Sequence, residues 1–223
     1  MKYLKLFESY SDIDSICSEY GINDYTINPD GSIDVDGSVI LSSELLTIIP
    51  IKFGTITRDF DCDRNQLTSL EGSPKKVGGY FDCHNNQLTS LVGCPEVIGG
   101  DFDCSRNELK SLVGCPEIIG DNFYCRENQI TDFKGVPEFF EGLFYCEGNP
   151  IEEIYRLFIK EDKHITDFSL LYGLDGLSKC IKWINEFDVI QGNKVIMDRL
   201  EEVFYQLGME VPENIKLKNY EII

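Results

Sequence analysis

Acidic and aromatic residues recur in this chain at a fixed step. Asp61, Asp82 and Asp103 lie 21 residues apart, and two further steps of that size reach Tyr124 and Tyr145. The column two residues earlier reads Asp59, Tyr80, Asp101, Asn122, Leu143, and the column two residues later reads Asp63, His84, Ser105, Arg126, Glu147. If each repeat stacks on the one before, every column becomes a row of side chains ~4.8 Å apart. Two carboxylates at that spacing repel by about 1 kcal/mol even in bulk water. Such a row is suited to receive Lys or Arg from a protein partner with a basic surface, while tyrosines supply amphipathic contact area. The candidate partner-binding residues are therefore Asp59, Asp61, Asp63, Tyr80, Asp82, His84, Asp101, Asp103, Tyr124, Arg126 and Tyr145. The plain alternative is a duplicated repeat with a solvated, like-charged surface.

Other chemistries are less well served. Carboxylate oxygens suit Ca²⁺ and Mg²⁺, yet neither the Gly-containing acidic loop nor the Gly-rich nonapeptide of calcium-loaded β-rolls occurs. The nine cysteines include no Cys-x-x-Cys pair, and the only histidines are His84 and His164, which argues against a zinc site. No metal site and no cofactor are expected. An odd number of cysteines, five of them at one repeat position, also argues against a disulfide framework, because parallel stacking points those side chains the same way. His84 can be drawn as an acid–base partner of Asp82 and Asp103, but no nucleophile accompanies it. Cys180 sits on the apolar face of an expected helix with no base to activate it. No catalytic residue is expected. Gly78-Gly79 and Gly99-Gly100 read as tight turns at repeat corners rather than as a phosphate loop.

The elements that must position these columns are set by the phrase Phe-x-Cys-x-x-Asn, which begins at Phe60, Phe81, Phe102, Phe123 and Phe144. Apolar residues follow each Asn at plus two and plus five, and Gly-x-Pro then occurs at Gly72, Gly93, Gly114 and Gly135. A period of this length means a solenoid whose units bury their apolar faces on one another. Phe and Cys point inward by the period of two, the Asp and Tyr columns point out, and the Asn amide satisfies loop backbone groups. Stepping back one period finds a degenerate unit with Val39, Leu41, Leu46 and Ile49, Glu44 standing in for Asn, so six strands are expected.

The phrase resembles the leucine-rich repeat, with Phe and Cys where Leu is usual. Its wording is also similar to that of uncharacterised leucine-rich-repeat proteins of tailed bacteriophages. That resemblance implies an α/β solenoid with a parallel sheet on one face, and the short Pro-bearing return segments leave only loops or short extended pieces on the other. The expected organisation is an N-terminal cap of helix and β-hairpin over 1–38, the solenoid over 39–151 and a helical C-terminal cap over 152–223. Ser11 caps a helix ending near Tyr20, and Asn28-Pro29-Asp30-Gly31 turns the hairpin. The first ten residues form a short amphipathic turn or strand. Helices are expected over 152–159, 177–187 and 195–207, with Lys160–Lys163 and Gln191–Asn193 as connectors and a tail that adds a strand.

A net charge of -19 argues against nucleic-acid binding, which demands a basic footprint. No apolar run reaches the ~18 residues of a membrane span, and no secretory signal pattern opens the chain. The expectation is a non-enzymatic protein-interaction module in the cytoplasm, the host's if the chain is phage-encoded. A virion component is the alternative, and an effector-like enzyme using the repeats to recognise substrate comes third.

Overall fold

The computed structural model describes residues 10–137, 139–158 and 174–223. The described residues open with α1 (Tyr10–Glu19) and the antiparallel hairpin of β1 (Tyr25–Ile27) and β2 (Ile33–Val35), the helix and hairpin expected, but the helix is already under way at Tyr10, so Ser11 lies within it and is not its cap. Of the amphipathic segment expected over the first ten residues, 1–9 lie outside the described residues, as does the 160–163 connector, and Tyr10 begins α1.

From there each turn of about 21 residues contributes two short strands. The odd-numbered strands are β3 (Val39–Ile40), β5 (Phe60–Asp61), β7 (Phe81–Asp82), β9 (Phe102–Asp103), β11 (Phe123–Tyr124) and β13 (Phe144–Tyr145). They form one parallel six-stranded sheet, the front sheet, in which Asp61 pairs with Asp82, Asp82 with Asp103, Asp103 with Tyr124 and Tyr124 with Tyr145. The even-numbered strands are β4 (Phe53–Ile56), β6 (Lys76–Val77), β8 (Val97–Ile98), β10 (Ile118–Ile119) and β12 (Phe139–Phe140). With β1 and β2 they make a second sheet of seven strands.

The fold is therefore a β-solenoid with parallel sheets on both sides and no helix in the described stack, which corrects the α/β solenoid with a single sheet. The reason lies in the return segments. A Cβ on Gly99 would meet the carbonyl oxygen of Gly78 at 2.2 Å, and one on Gly120 would meet that of Gly99 at 2.2 Å. Gly78-Gly79 and Gly99-Gly100 lie at bends between the two sheets, the repeat corners expected of them, and glycine there also lets successive backbones close up and pair.

Phe60, Phe81, Phe102, Phe123 and Phe144 form one column inside the stack, with ring centroids of neighbours 5.2 to 5.8 Å apart. Cys62, Cys83, Cys104, Cys125 and Cys146 are buried beside them, and burial pushes each thiol well up from its ordinary value. The asparagine column does what its spacing predicts, and joins consecutive turns. Asn107 Nδ2 donates to the carbonyls of Cys104 and, one turn earlier, Cys83, both at 3.1 Å, while its Oδ1 accepts the Leu88 N–H at 2.9 Å. Asn65, Asn86, Asn128 and Asn149 repeat the pattern. The residue before each of them, Arg64, Asn85, Arg106, Glu127 or Gly148, has φ between 48° and 79°.

After the last turn come α2 (Glu152–Arg156), α3 (Leu174–Glu186), β14 (Ile190–Gln191), β15 (Lys194–Val195), α4 (Met197–Gln206) and β16 (Glu221–Ile222). The helices expected over 152–159, 177–187 and 195–207 are present, the first shorter, ending at Arg156, and the second beginning earlier, at Leu174. Of the Gln191–Asn193 connector, Gln191 ends β14 and Gly192-Asn193 form the turn of a β14–β15 hairpin, and the tail adds β16 parallel to β15. This end is tied to the stack by Tyr220 Oη donating to the Thr131 carbonyl at 2.7 Å and by Asn185 Nδ2 donating to the Phe133 carbonyl at 3.2 Å.

Candidate functional site

The outer face of the front sheet carries the central column. Asp61, Asp82 and Asp103 stand in one register row, half-buried. Each turns one carboxylate oxygen back onto its own chain. Asp61 Oδ1 accepts the Asp63 N–H at 3.0 Å, Asp82 Oδ1 that of His84 at 2.9 Å and Asp103 Oδ1 that of Ser105 at 2.8 Å. This local bond closes the bend after each strand. The cost of desolvation outweighs it at two positions: burial raises the Asp61 carboxyl, and pushes that of Asp82 up to about 6 against the hydrogen bonds from His84.

The earlier column serves the stack. Asp59 Oδ1 accepts the Tyr80 N–H at 3.1 Å one turn on, Asp101 Oδ1 accepts the Asn122 N–H at 2.9 Å, and Asn122 Oδ1 passes the pattern to the Leu143 N–H at 2.9 Å. Asp59 and Asp101 are thus half-buried backbone acceptors beside the row, while Tyr80 is exposed on it.

The later column departs from the alternation expected of it. Asp63 does not face solvent: its side chain is 4% exposed, and Ser105 is buried too. The two-residue strand ends at Asp61, and the turn that follows, with Arg64 at φ 48°, folds residue 63 in. Asp63 accepts a hydrogen bond from Ser42 Oγ, an exposed Arg64 Nη1 lies 3.0 Å from its Oδ2, and His84 Nε2 lies 3.4 Å from the same oxygen. The other ring nitrogen, Nδ1, is 2.9 Å from Asp82 Oδ1. Asp63, Asp82 and His84 so form one cluster, drawn from two turns.

At the far end Tyr124 and Tyr145 stack with centroids 4.6 Å apart and planes 2° from parallel. The Arg126 guanidinium lies 4.3 Å from the Tyr145 ring centroid, and its Nε donates to Glu147 Oε2 at 2.8 Å. Sequence columns had paired the tyrosines but not the Arg126–Glu147 bridge. They had also passed over Ile40, which heads the central column and is 51% exposed, and Ser42 and Arg64 around Asp63. The unit that holds Ile40 and Ser42 matches the repeat only at its interior positions Val39, Leu41, Leu46 and Ile49, which hides its outward ones.

The face can present a graded surface, apolar at Ile40, then acidic, then aromatic and cationic. No helix among the described residues is long and apolar enough to cross a membrane. Comparisons with protein-family models, with curated proteins and with solved structures find no match. What stands is a β-solenoid of about 21-residue turns with helices near its ends and an ordered row of side chains along one sheet.

Proposed function

We propose that this protein is a non-enzymatic interaction module that holds a basic segment of another protein against the outer face of the front sheet. Lys or Arg of the partner lies over Asp61, Asp82 and Asp103, and a neighbouring apolar or aromatic group lies on Tyr124 and Tyr145. One observation carries this reading: the carboxyl groups of Asp61 and Asp82 are held in a half-buried register row where burial disfavours their charge. Their local task, accepting one backbone N–H, is within the reach of an Asn side chain. A charge kept at a cost in stability, where a neutral residue would close the same bend, is what a binding face requires.

The finer identity, a leucine-rich-repeat protein of the kind encoded by tailed phages and acting in the host cytoplasm, belongs to this proposal and rests on the wording of the repeat. The test is affinity capture with the full chain and with the variant D61N/D82N/D103N, which keeps the local hydrogen bonds. A partner released by salt and lost in the variant is expected. Capture that is unchanged in the variant overturns the reading.

A further inference from the structure

His84 is held by one nitrogen and open at the other. Asp82 Oδ1 lies 2.9 Å from Nδ1, the arrangement in which a carboxylate fixes the tautomer of an imidazole and frees Nε2 as a ligand. Nε2 in turn looks towards a carboxylate oxygen of Asp63, 3.4 Å away. That gap exceeds the 2.7–3.2 Å range of an N–H···O hydrogen bond. It matches the edge of a coordination tetrahedron, which for zinc–nitrogen and zinc–oxygen bonds of ~2.0–2.1 Å is about 3.3–3.4 Å. The carboxylate is buried and the ring is 18% exposed, so remaining coordination positions open to water on the outer face. All three side chains offer a ligand atom within 4.8 Å of the others.

We propose that Asp63 and His84 bind a divalent first-row transition-metal ion, with Asp82 orienting the imidazole. One imidazole and one carboxylate with water suit zinc, cobalt or manganese better than calcium, which takes oxygen ligands alone. The half-buried carboxylates of Asp61 and Asp103 on either side of Asp82 add a field that favours a cation. Arg64 competes for the site. Its Nη1 lies 3.0 Å from the same Asp63 oxygen, but its side chain is 59% exposed and can swing into solvent when the ion enters. The site stands whether or not the face captures a partner.

The test uses the full chain after chelator treatment, titrated with ZnCl₂ by calorimetry and with CoCl₂ by visible absorption. One equivalent is expected, with a cobalt spectrum free of thiolate charge-transfer bands. H84Q and D63N should abolish uptake, and D82N should weaken it about 10–100-fold, the usual penalty for losing the group that orients a ligand. R64A should tighten it, and E117Q, in the bend that leads into β10 of the second sheet, should leave it unchanged. Circular dichroism shows whether each variant is folded; should the buried D63N fail to fold, H84Q at the more open position decides the matter. Absence of uptake by the folded wild type, uptake that survives H84Q, or a thiolate signature would each overturn the proposal.

Discussion

At the scale of single residues, the interior and the surface of each turn answer to different rules. Phe, Cys and Asn were legible in the sequence because their columns hold over five consecutive turns, and their environments hardly change either. Asn107 Nδ2 donates to three backbone carbonyls and its Oδ1 accepts one backbone N–H. Replacement by Ala leaves the buried Leu88 N–H without its acceptor, whereas the Cys83 and Cys104 carbonyls keep the amides of Asn86 and Asn128, so N107A should lose about 1–3 kcal/mol in urea unfolding. Asp63 was not legible, because alternation cannot know where a two-residue strand ends. Asp82 carries a pH signature with a definite sign. Its carboxyl is raised in the folded state from the ordinary 3.8 to about 6, so the folded protein binds this proton more tightly than the unfolded chain does. Its contribution therefore favours folding below the unfolded value and weakens as pH rises through about 6. In chelator-containing buffer, D82N should raise the melting temperature at pH above this window and lose that advantage in acid. The upper bound is on the order of 3 kcal/mol, from 1.36 kcal/mol per pKa unit. A melting temperature for D82N equal to wild type across the range would refute the claim that burial burdens this group.

At the scale of elements, the second sheet is the feature that sequence reading missed. Its strands from β6 onward are two residues long and are bracketed by Pro and Gly, both of which signal turns. Only the stacking of one turn on the next turns Val77, Ile98 and Ile119 into a ladder, through the register Val77–Ile98 and Ile98–Ile119. The glycines beside them are the sensitive points. G99A drives a Cβ into the backbone of Gly78 and should cost about 1–3 kcal/mol or more. G21A, where φ is +63° but no atom lies within 4 Å of the added carbon, should cost no more than about 1–2 kcal/mol, the ordinary price of a left-handed non-glycine residue. Denaturant melts of the two variants compare packing with backbone conformation directly; equal losses would mean that stacking distance is not what selects glycine at position 99.

At the scale of the whole molecule, the stack is close to one-dimensional, because each turn touches chiefly the turns before and after it. Hydrogen exchange should then be slowest for the ladder amides of Phe81, Cys83, Phe102 and Cys104, which lie in the middle of the front sheet. Protection falling evenly from one end to the other would contradict that picture. A net charge of -19 should make the melting temperature rise with ionic strength, and the rise should be smaller in D61N/D82N/D103N. The asparagine column adds a direction to this symmetry. Each Asn accepts a backbone N–H left open by the turn before it, as Asn86 does for Leu67, and adds a second donor to that turn's Cys carbonyl, as Asn86 does for Cys62. The first turn follows no other, and its equivalent position is held by an exposed Glu44. A turn is therefore finished only by the residues of its successor. On the ribosome the nascent solenoid always carries one incomplete turn at its growing end, and sets about 21 residues behind the chain being made.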